Sequence, residues 1–328
     1  MNVKRMLVFV LSLVFSLVRV AGDDSQFFRQ LLQQIPADKW EEYRVLNNEE
    51  TRYAEYKDPD QMLAVKLVQL AYINRSRSRY NAPPLELDIL ASRVANRMSK
   101  EACEQNFSGH WNTRGEKPYH RYAFAGGVDH VLENSATKWS SGSFNRELST
   151  YLAFMKEGHD HFMAEKAPYD GHKQNCINKF HTHVGIGTYI YSNQFRYYEE
   201  FVDRYLDFVS YKTSVSKDEA FDLLIKPLDP NHHVYAVVVY YEPFPKPMTP
   251  AQLNRKGGYP DFTSQQALSL WPWQLKEESS TGATRITLKF KTAGLYYVNI
   301  YLSDKPYTGG GASTKGKLQG SGIVLRVE

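Results

Sequence analysis

Histidine is the residue whose distribution in this chain first suggests chemistry. Eight of the ten histidines fall between residues 103 and 187: His110, His120, His130, His159, His161, His172, His181 and His183. Imidazole is the commonest protein ligand for zinc and other divalent transition metals, so this density invites a metal reading. His181-Thr-His183 places two rings on one face of a strand, where both can reach one ion; a core strand with one ring turned to solvent explains the same spacing, and that structural reading is preferred. His159-Asp-His161 cannot easily share a helix face, and polar capping near a helix end accounts for it. A third set is distributed: His110 in Ser-Gly-His-Trp, Glu133 in Leu-Glu-Asn-Ser, Glu165 in Ala-Glu-Lys-Ala and His172 in Asp-Gly-His-Lys. These positions read as loops and element ends, where functional groups concentrate, but spacing alone does not single them out. No GxSxG or HExxH motif is present, so no nucleophile or metalloprotease signature supports hydrolysis.

The elements that must position these groups are partly legible. Residues 23–58 are polar, with Phe27, Phe28, Leu31 and Leu32 at helical spacing, and read as a helical N-terminal segment. Gln61–Arg79 is apolar on most sides, which describes a buried helix ending before Pro83-Pro84. Asp88 is a suitable N-cap for a helix with the stripe Leu90, Ala91, Val94, Ala95, Met98. Residues 106–142 show little periodicity and read as a long functional loop. A third helix is marked by Leu148, Tyr151, Leu152 and Met155, and a strand by Val184, Ile186 and Ile190. Residues 195–209 fit helix and strand equally well. After about residue 212, strand-like runs at 234–241, 285–291, 295–302 and 322–327 are separated by Pro and Gly clusters, the pattern of a β-sandwich. The Pro243–Pro250 and Gly257–Pro260 stretches read as connections between strands. Trp271-Pro-Trp273, Tyr240-Tyr241, Tyr296-Tyr297 and Tyr301 suit either a sugar-binding platform or an aromatic sandwich core.

Composition narrows the function classes. Of 328 residues, 42% are hydrophobic and 23% charged, which excludes wholesale disorder. A net charge of +4 is too weak for a nucleic-acid binder that works by charge. Two cysteines exclude a cysteine-rich scaffold and a four-cysteine zinc site. Lys4 and Arg5, the apolar run Met6–Val18 and the small residues Val20-Ala21-Gly22 have the order of a secretory signal peptide over residues 1–22. The expected product is a secreted, extracellular protein without a transmembrane helix in its mature chain. Secretion permits a Cys103–Cys176 disulfide. Of two glycosylation sequons, Asn74 falls in the buried helix, which leaves Asn106 as the candidate.

Residues from about 61 to 207 resemble the CAP superfamily of cysteine-rich secretory, antigen 5 and pathogenesis-related 1 proteins. Ile73-Asn-Arg-Ser-Arg77 and Ala82-Pro-Pro-Leu-Glu-Leu-Asp88 are similar to the family's opening pattern. Ser108-Gly-His110, Glu133-Asn134, Phe162-Met-Ala-Glu165-Lys-Ala-Pro-Tyr169, Gly171-His172 and His183-Val-Gly-Ile-Gly187 follow in the family's order. Ile73, Leu132 and Phe162 depart from the usual histidine, glycine and tryptophan, and the disulfides of animal and plant members are absent, as in a disulfide-poor, bacterial-type branch. The resemblance implies an α/β fold, an α-β-α sandwich over residues 59–210; it covers nothing beyond about 210, where the strand and turn pattern is that of an all-β, immunoglobulin-like sandwich over 215–328. It further implies an open cleft lined by His110, Glu133, Glu165, His172 and Asn134, with His110 and His172 as ligands of a Zn²⁺ ion. The implied function is binding of a lipid or sterol or of an extracellular protein target. Metal-dependent hydrolysis through the same four residues, and polysaccharide adhesion through the C-terminal part, remain open beside it.

Overall fold

The computed structural model describes residues 24–259, 263, 265–277 and 282–328; the signal-peptide segment lies outside the described residues. Two short helices come first, α1 (Asp24–Leu32) and α2 (Ala37–Glu49), then the long helix α3 (Asp60–Ser78). The next elements are β1 (Glu86–Leu87), α4 (Ile89–Glu104), α5 (Pro118–Phe124), β2 (His130–Trp139), α6 (Leu148–Ala164), α7 (Gly171–Ile177), β3 (His183–Tyr191) and β4 (Gln194–Asp203).

One four-stranded sheet, ordered β1-β3-β4-β2, organises this half of the chain. Helix α4 lies on one face, where Ala91 and Ala95 oppose Gly185 and Gly187 of β3. A Cβ on either glycine would collide with the helix backbone, so the two glycines set how closely α4 approaches. The Asp88 carboxylate caps α4 by accepting from the Ala91 N–H at 2.6 Å. On the opposite face, Leu63, Leu67 and Leu70 of α3 and Leu152 and Met155 of α6 pack onto Val184, Ile186, Phe195 and Phe201. The result is an α-β-α sandwich. All ten residues of β4 are buried because both of its faces are covered. That removes the alternation of a half-exposed strand and explains why 195–209 looked like helix or strand. It is two strands, β4 and then β5 (Leu206–Ser210).

The expected loop at 106–142 is corrected: it contains α5 and the ten-residue edge strand β2. Strand β2 carries buried polar groups on both faces, including His130, Glu133 and Asn134, so it has no apolar alternation to betray it. The Cys103–Cys176 disulfide is also corrected. Both thiols are free and buried. Cys103 sits on the α4 side and donates to the Tyr189 carbonyl, whereas Cys176 belongs to the core between the sheet and α3, so the sheet stands between them. Asn74 uses both ends of its side-chain amide on the main chain of Leu85.

Beyond β5 follow β6 (Ser214–Val215), β7 (Ala220–Pro227), β8 (His233–Glu242), the single turn α8 (Pro250–Leu253), β9 (Gln266–Leu270), β10 (Lys276–Glu277), β11 (Thr284–Lys289), β12 (Gly294–Ser303), β13 (Leu318–Gln319) and β14 (Ile323–Val327). They make two sheets, β10-β11-β7-β5 and β6-β14-β12-β8-β9, with β13 on β12. Leu223, Ile225, Ile286 and Leu288 of the first meet Val237, Val239, Val298, Ile300 and Leu325 of the second in one core, a β-sandwich. Among the described residues neither sheet extends the first one. No helix among the described residues is long and apolar enough to cross a membrane.

Candidate binding cleft

Strand alternation begins the site. On the edge strand β2, consecutive residues point to opposite faces, so Glu133 turns toward α5 and Asn134 toward α7. Asn134 donates its amide to the His172 carbonyl at 3.0 Å and to the Cys176 sulfur at 3.2 Å, and accepts from Asn175 at 3.0 Å. It thereby docks α7, the helix that carries His172, onto the sheet edge. His110 arrives from the other side on the loop between α4 and α5.

Each imidazole is held by a carboxylate through Nδ1. His110 Nδ1 lies 2.7 Å from Glu133 Oε1, and His172 Nδ1 lies 2.5 Å from Glu165 Oε1. The other Glu165 oxygen accepts from the backbone N–H groups of His172 at 3.0 Å and Lys173 at 3.4 Å. The other Glu133 oxygen is bound by Arg121. Both carboxylates are therefore committed to holding their histidines. A carboxylate only accepts, so each Nδ1 carries a proton toward its carboxylate. The two rings lie 6.1 Å apart, centroid to centroid.

Behind Glu133 stands a group that sequence reasoning missed. Glu200 faces Glu133 across the β2–β4 ladder, and Arg121 reaches both. Burial, reinforced by the Glu133 charge, pushes the Glu200 carboxyl well up. Two buried carboxylates opposite each other disfavour both being charged at once. Burial pushes the His110 ring down to about 4, and the Arg121 charge adds to this, so His110 is neutral at neutral pH. No spacing rule could have paired Glu133 with Glu200; only the strand register does.

His110, Glu133, Asn134, Glu165 and His172 line a single open cleft of about 800 Å³, together with Leu132, Tyr169, Asn175, Gly258 and Tyr259. The four tetrad residues thus converge across 63 positions of sequence. Two imidazoles that line one cleft and are each held through Nδ1 are a suitable donor pair for Zn²⁺ through Nε2, with Zn–N bonds of about 2.0–2.1 Å compatible with this ring separation.

Five of the other histidines are occupied elsewhere, and His161 is exposed on α6. His181 spends both nitrogens, on Asp203 at 2.6 Å and on Asn175 at 2.8 Å. His183 contacts Thr182 and Arg204, so the His181/His183 pair is structural. His130 bonds Asp203, and His120 lies 3.4 Å from Glu242. His159 is corrected: it caps nothing, but is buried in the core with Nδ1 2.8 Å from Glu199. Its partners Glu199 and Cys176 form with it a buried His/Cys/Glu cluster, already tied together by hydrogen bonds from His159, Tyr197 and Cys176 to Glu199.

An α-β-α sandwich with a His/Glu cleft at its sheet edge defines the class. Residues 70–202 match the model of the cysteine-rich secretory protein family, CAP, and this chain carries a CAP domain. Among solved structures it is similar to an extracellular protein containing an SCP domain from Bacillus anthracis, at 22% identity and a TM-score of 0.32, with 45% of this chain and 44% of that chain covered. It is also similar to an outer surface protein of Borrelia burgdorferi, at 15% identity and a TM-score of 0.33, with 43% of this chain and 92% of that chain covered. The match thus spans less than half of the Bacillus protein. No curated protein matches the chain.

Proposed function

We propose that this is a secreted binding protein whose CAP unit captures an extracellular ligand at a cleft carrying a Zn²⁺ ion on His110 and His172. The observation that carries this reading is the use of both carboxylates. Glu133 and Glu165 hold by Nδ1 the two imidazoles that line one cleft, and so commit Nδ1 and not Nε2 of each ring. When bound, the ion supplies a Lewis-acidic anchor for an oxygen donor on the ligand. The protein's own groups then do the rest: Glu133 and Glu165 orient the rings, Arg121 and Glu200 hold Glu133, and Asn134 fixes α7.

Hydrolysis through the same residues is less well supported. A general base needs a lone pair free to reach a water in the cleft, and the Glu165 oxygens are engaged by His172 and Lys173 while Glu133 is engaged by His110 and Arg121. Among the described lining residues only Leu132, Tyr169 and Tyr259 offer a sizeable apolar side chain or a phenol ring. This favours contact with a polar head, of a lipid, sterol or protein, over engulfment of an apolar body. Division of labour between a CAP unit and a β-sandwich unit belongs to this proposal, with the sandwich beginning at β5 (Leu206–Ser210) rather than at 215, as do glycosylation at Asn106 and passage through the secretory route.

A second reading has its own observation. On the sandwich, Trp271 and Trp273 stack at 6.4 Å, Trp273 lies 5.7 Å from Tyr307, and Trp273 is 58% exposed. An exposed run of aromatic rings suits a polysaccharide and would make the sandwich an adhesive unit. One screen tests both readings: the purified protein is offered sterols, fatty acids and wall polysaccharides, with and without a chelator. The cleft reading predicts chelator-sensitive capture that H110A and H172A each abolish. Capture indifferent to chelator and to both substitutions, but lost in W273A, overturns it in favour of adhesion.

A further inference from the structure

The segment between β8 and β9 looked in the sequence like a mere connection. It leaves the sandwich and returns to the first sheet as a strap. Leu253 in α8 is buried among Ala95, Met98, Phe107 and Tyr198. Asn254 accepts from the Ser108 N–H at 3.0 Å and donates to the Asn106 carbonyl at 3.2 Å. The Met248 N–H donates to the Thr113 carbonyl at 2.8 Å. The Lys256 ammonium sits 4.5 Å from the Trp111 ring centre. Gly115 has φ +76°, and a Cβ there would collide with the Lys246 carbonyl. These contacts fall at residues 106, 108, 111, 113 and 115, on both sides of His110. The loop that presents His110 has no secondary structure of its own, so the strap supplies much of what orders it.

The strap ends at the cleft. The Tyr259 hydroxyl accepts the Glu133 N–H at 2.8 Å, which is an outward-facing donor of the edge strand β2. The Tyr259 ring meets the His110 ring edge-on at 5.0 Å. One residue of the sandwich unit therefore touches both members of the His110–Glu133 pair, one through the main chain and one through the ring. The root of the strap is fixed as well. Glu242, at the end of β8, is buried and bonded to Lys117 at 2.9 Å and to Tyr119, while the Tyr119 and Tyr297 rings stack at 4.2 Å.

We infer that the strap at 243–259 is a built part of the cleft, with Tyr259 as a positioning residue for His110 and Glu133, so that capture at the cleft is coupled to the sandwich unit. The inference rests on the zinc-cleft reading only for its affinity readout. Truncation of the sandwich would strip the His110 loop of Asn254 and Met248 and the β2 edge of its acceptor. The two units then act as one binding module.

The test uses the full chain and three variants, with Zn²⁺ alone as the probe and amide hydrogen exchange as a second readout. Y259F keeps the ring and removes the acceptor; it should speed exchange at the Glu133 amide and keep most of the affinity. Y259A removes both and should weaken Zn²⁺ binding about tenfold or more, as loss of the groups that orient a metal-ligating histidine does. N254A touches no cleft residue, yet should speed exchange at Ser108 and weaken Zn²⁺ binding in the same direction. Unchanged exchange at Glu133 in Y259F, together with unchanged Zn²⁺ affinity in Y259A and N254A, overturns the inference. A parent protein that binds no Zn²⁺ defeats the zinc reading instead, and the exchange rates in Y259F and N254A still decide whether the strap orders the site. If Y259A does not fold, those two variants decide the matter.

Discussion

Glu165→Gln probes the logic of the cleft with the least change in shape. Glu165 works in two directions at once: Oε1 accepts from His172 Nδ1, and Oε2 accepts from the His172 and Lys173 amides. A glutamine has one acceptor and one donor in the same space. If its oxygen stays with the backbone amides, its NH₂ faces His172 Nδ1. The ring must then turn Nδ1 into an acceptor, move its proton to Nε2 and lose the lone pair offered to the cleft. If the oxygen stays with the ring, the NH₂ opposes two backbone N–H groups and α7 loses its anchor. Either arrangement forfeits a charge-assisted hydrogen bond worth about 1.5–3 kcal/mol. The expected outcome is Zn²⁺ affinity lowered about 10- to 100-fold, measured by calorimetric titration or chelator competition, with far-ultraviolet dichroism unchanged. A folded E165Q protein that binds Zn²⁺ as tightly as the parent would refute the claim that Glu165 sets the His172 tautomer.

Three further outcomes follow from buried groups. Lys117→Ala leaves Glu242 buried without its cation; burial opposes the charged form of Glu242, while His120, Lys117 and Tyr119 outweigh it and hold the carboxyl at about 2, so the variant should lose about 3 kcal/mol in denaturant unfolding, and an unchanged midpoint would count against that pair. Burial raises Asp129 from 3.8 to about 6, with Arg204 opposing and Asp88 adding. Because the folded value is the higher one, its stabilising contribution is complete below 3.8 and is lost as pH rises through about 6, a swing of about 3 kcal/mol. D129N should flatten that part of the stability–pH curve, and a curve unchanged by the substitution would contradict the assignment. Finally, the denatured, unreduced protein should titrate two thiols with a thiol reagent, since Cys103 and Cys176 lie on opposite sides of the sheet; a count of zero would show that they are paired.

What could be read from the chain depended on where apolar residues carry the pattern. Helices α3 and α4 and most of the later strands announce themselves because their buried faces are aliphatic. Strand β2 does not, because three of the four residues it buries are His130, Glu133 and Asn134, and their partners come from α5, α7 and β4. Strand β4 hides for the opposite reason: it is buried throughout. The cleft residues were legible through the family motifs and not through spacing. The supports behind them were not legible at all, since Glu200 reaches Glu133 only through a ladder register and Tyr259 lies 126 positions further along the chain. Proline and glycine in the strap spoke only of turns, and nothing local encodes which surface a turn will meet. His159 shows the limit from the other side. Its neighbourhood suggested a cap, and only packing against β4 delivers it to Glu199.

The central test is whether His110 and His172 hold one metal ion between them. Crystals of the full-length protein grown with Zn²⁺, with diffraction data collected on both sides of the zinc absorption edge, would locate the ion without reference to any ligand. The predicted result is a single anomalous peak in the cleft, within bonding distance of Nε2 of both rings and absent in H172A. Peaks confined to other sites, with the two Nε2 atoms bound only to water at saturating Zn²⁺, would contradict it.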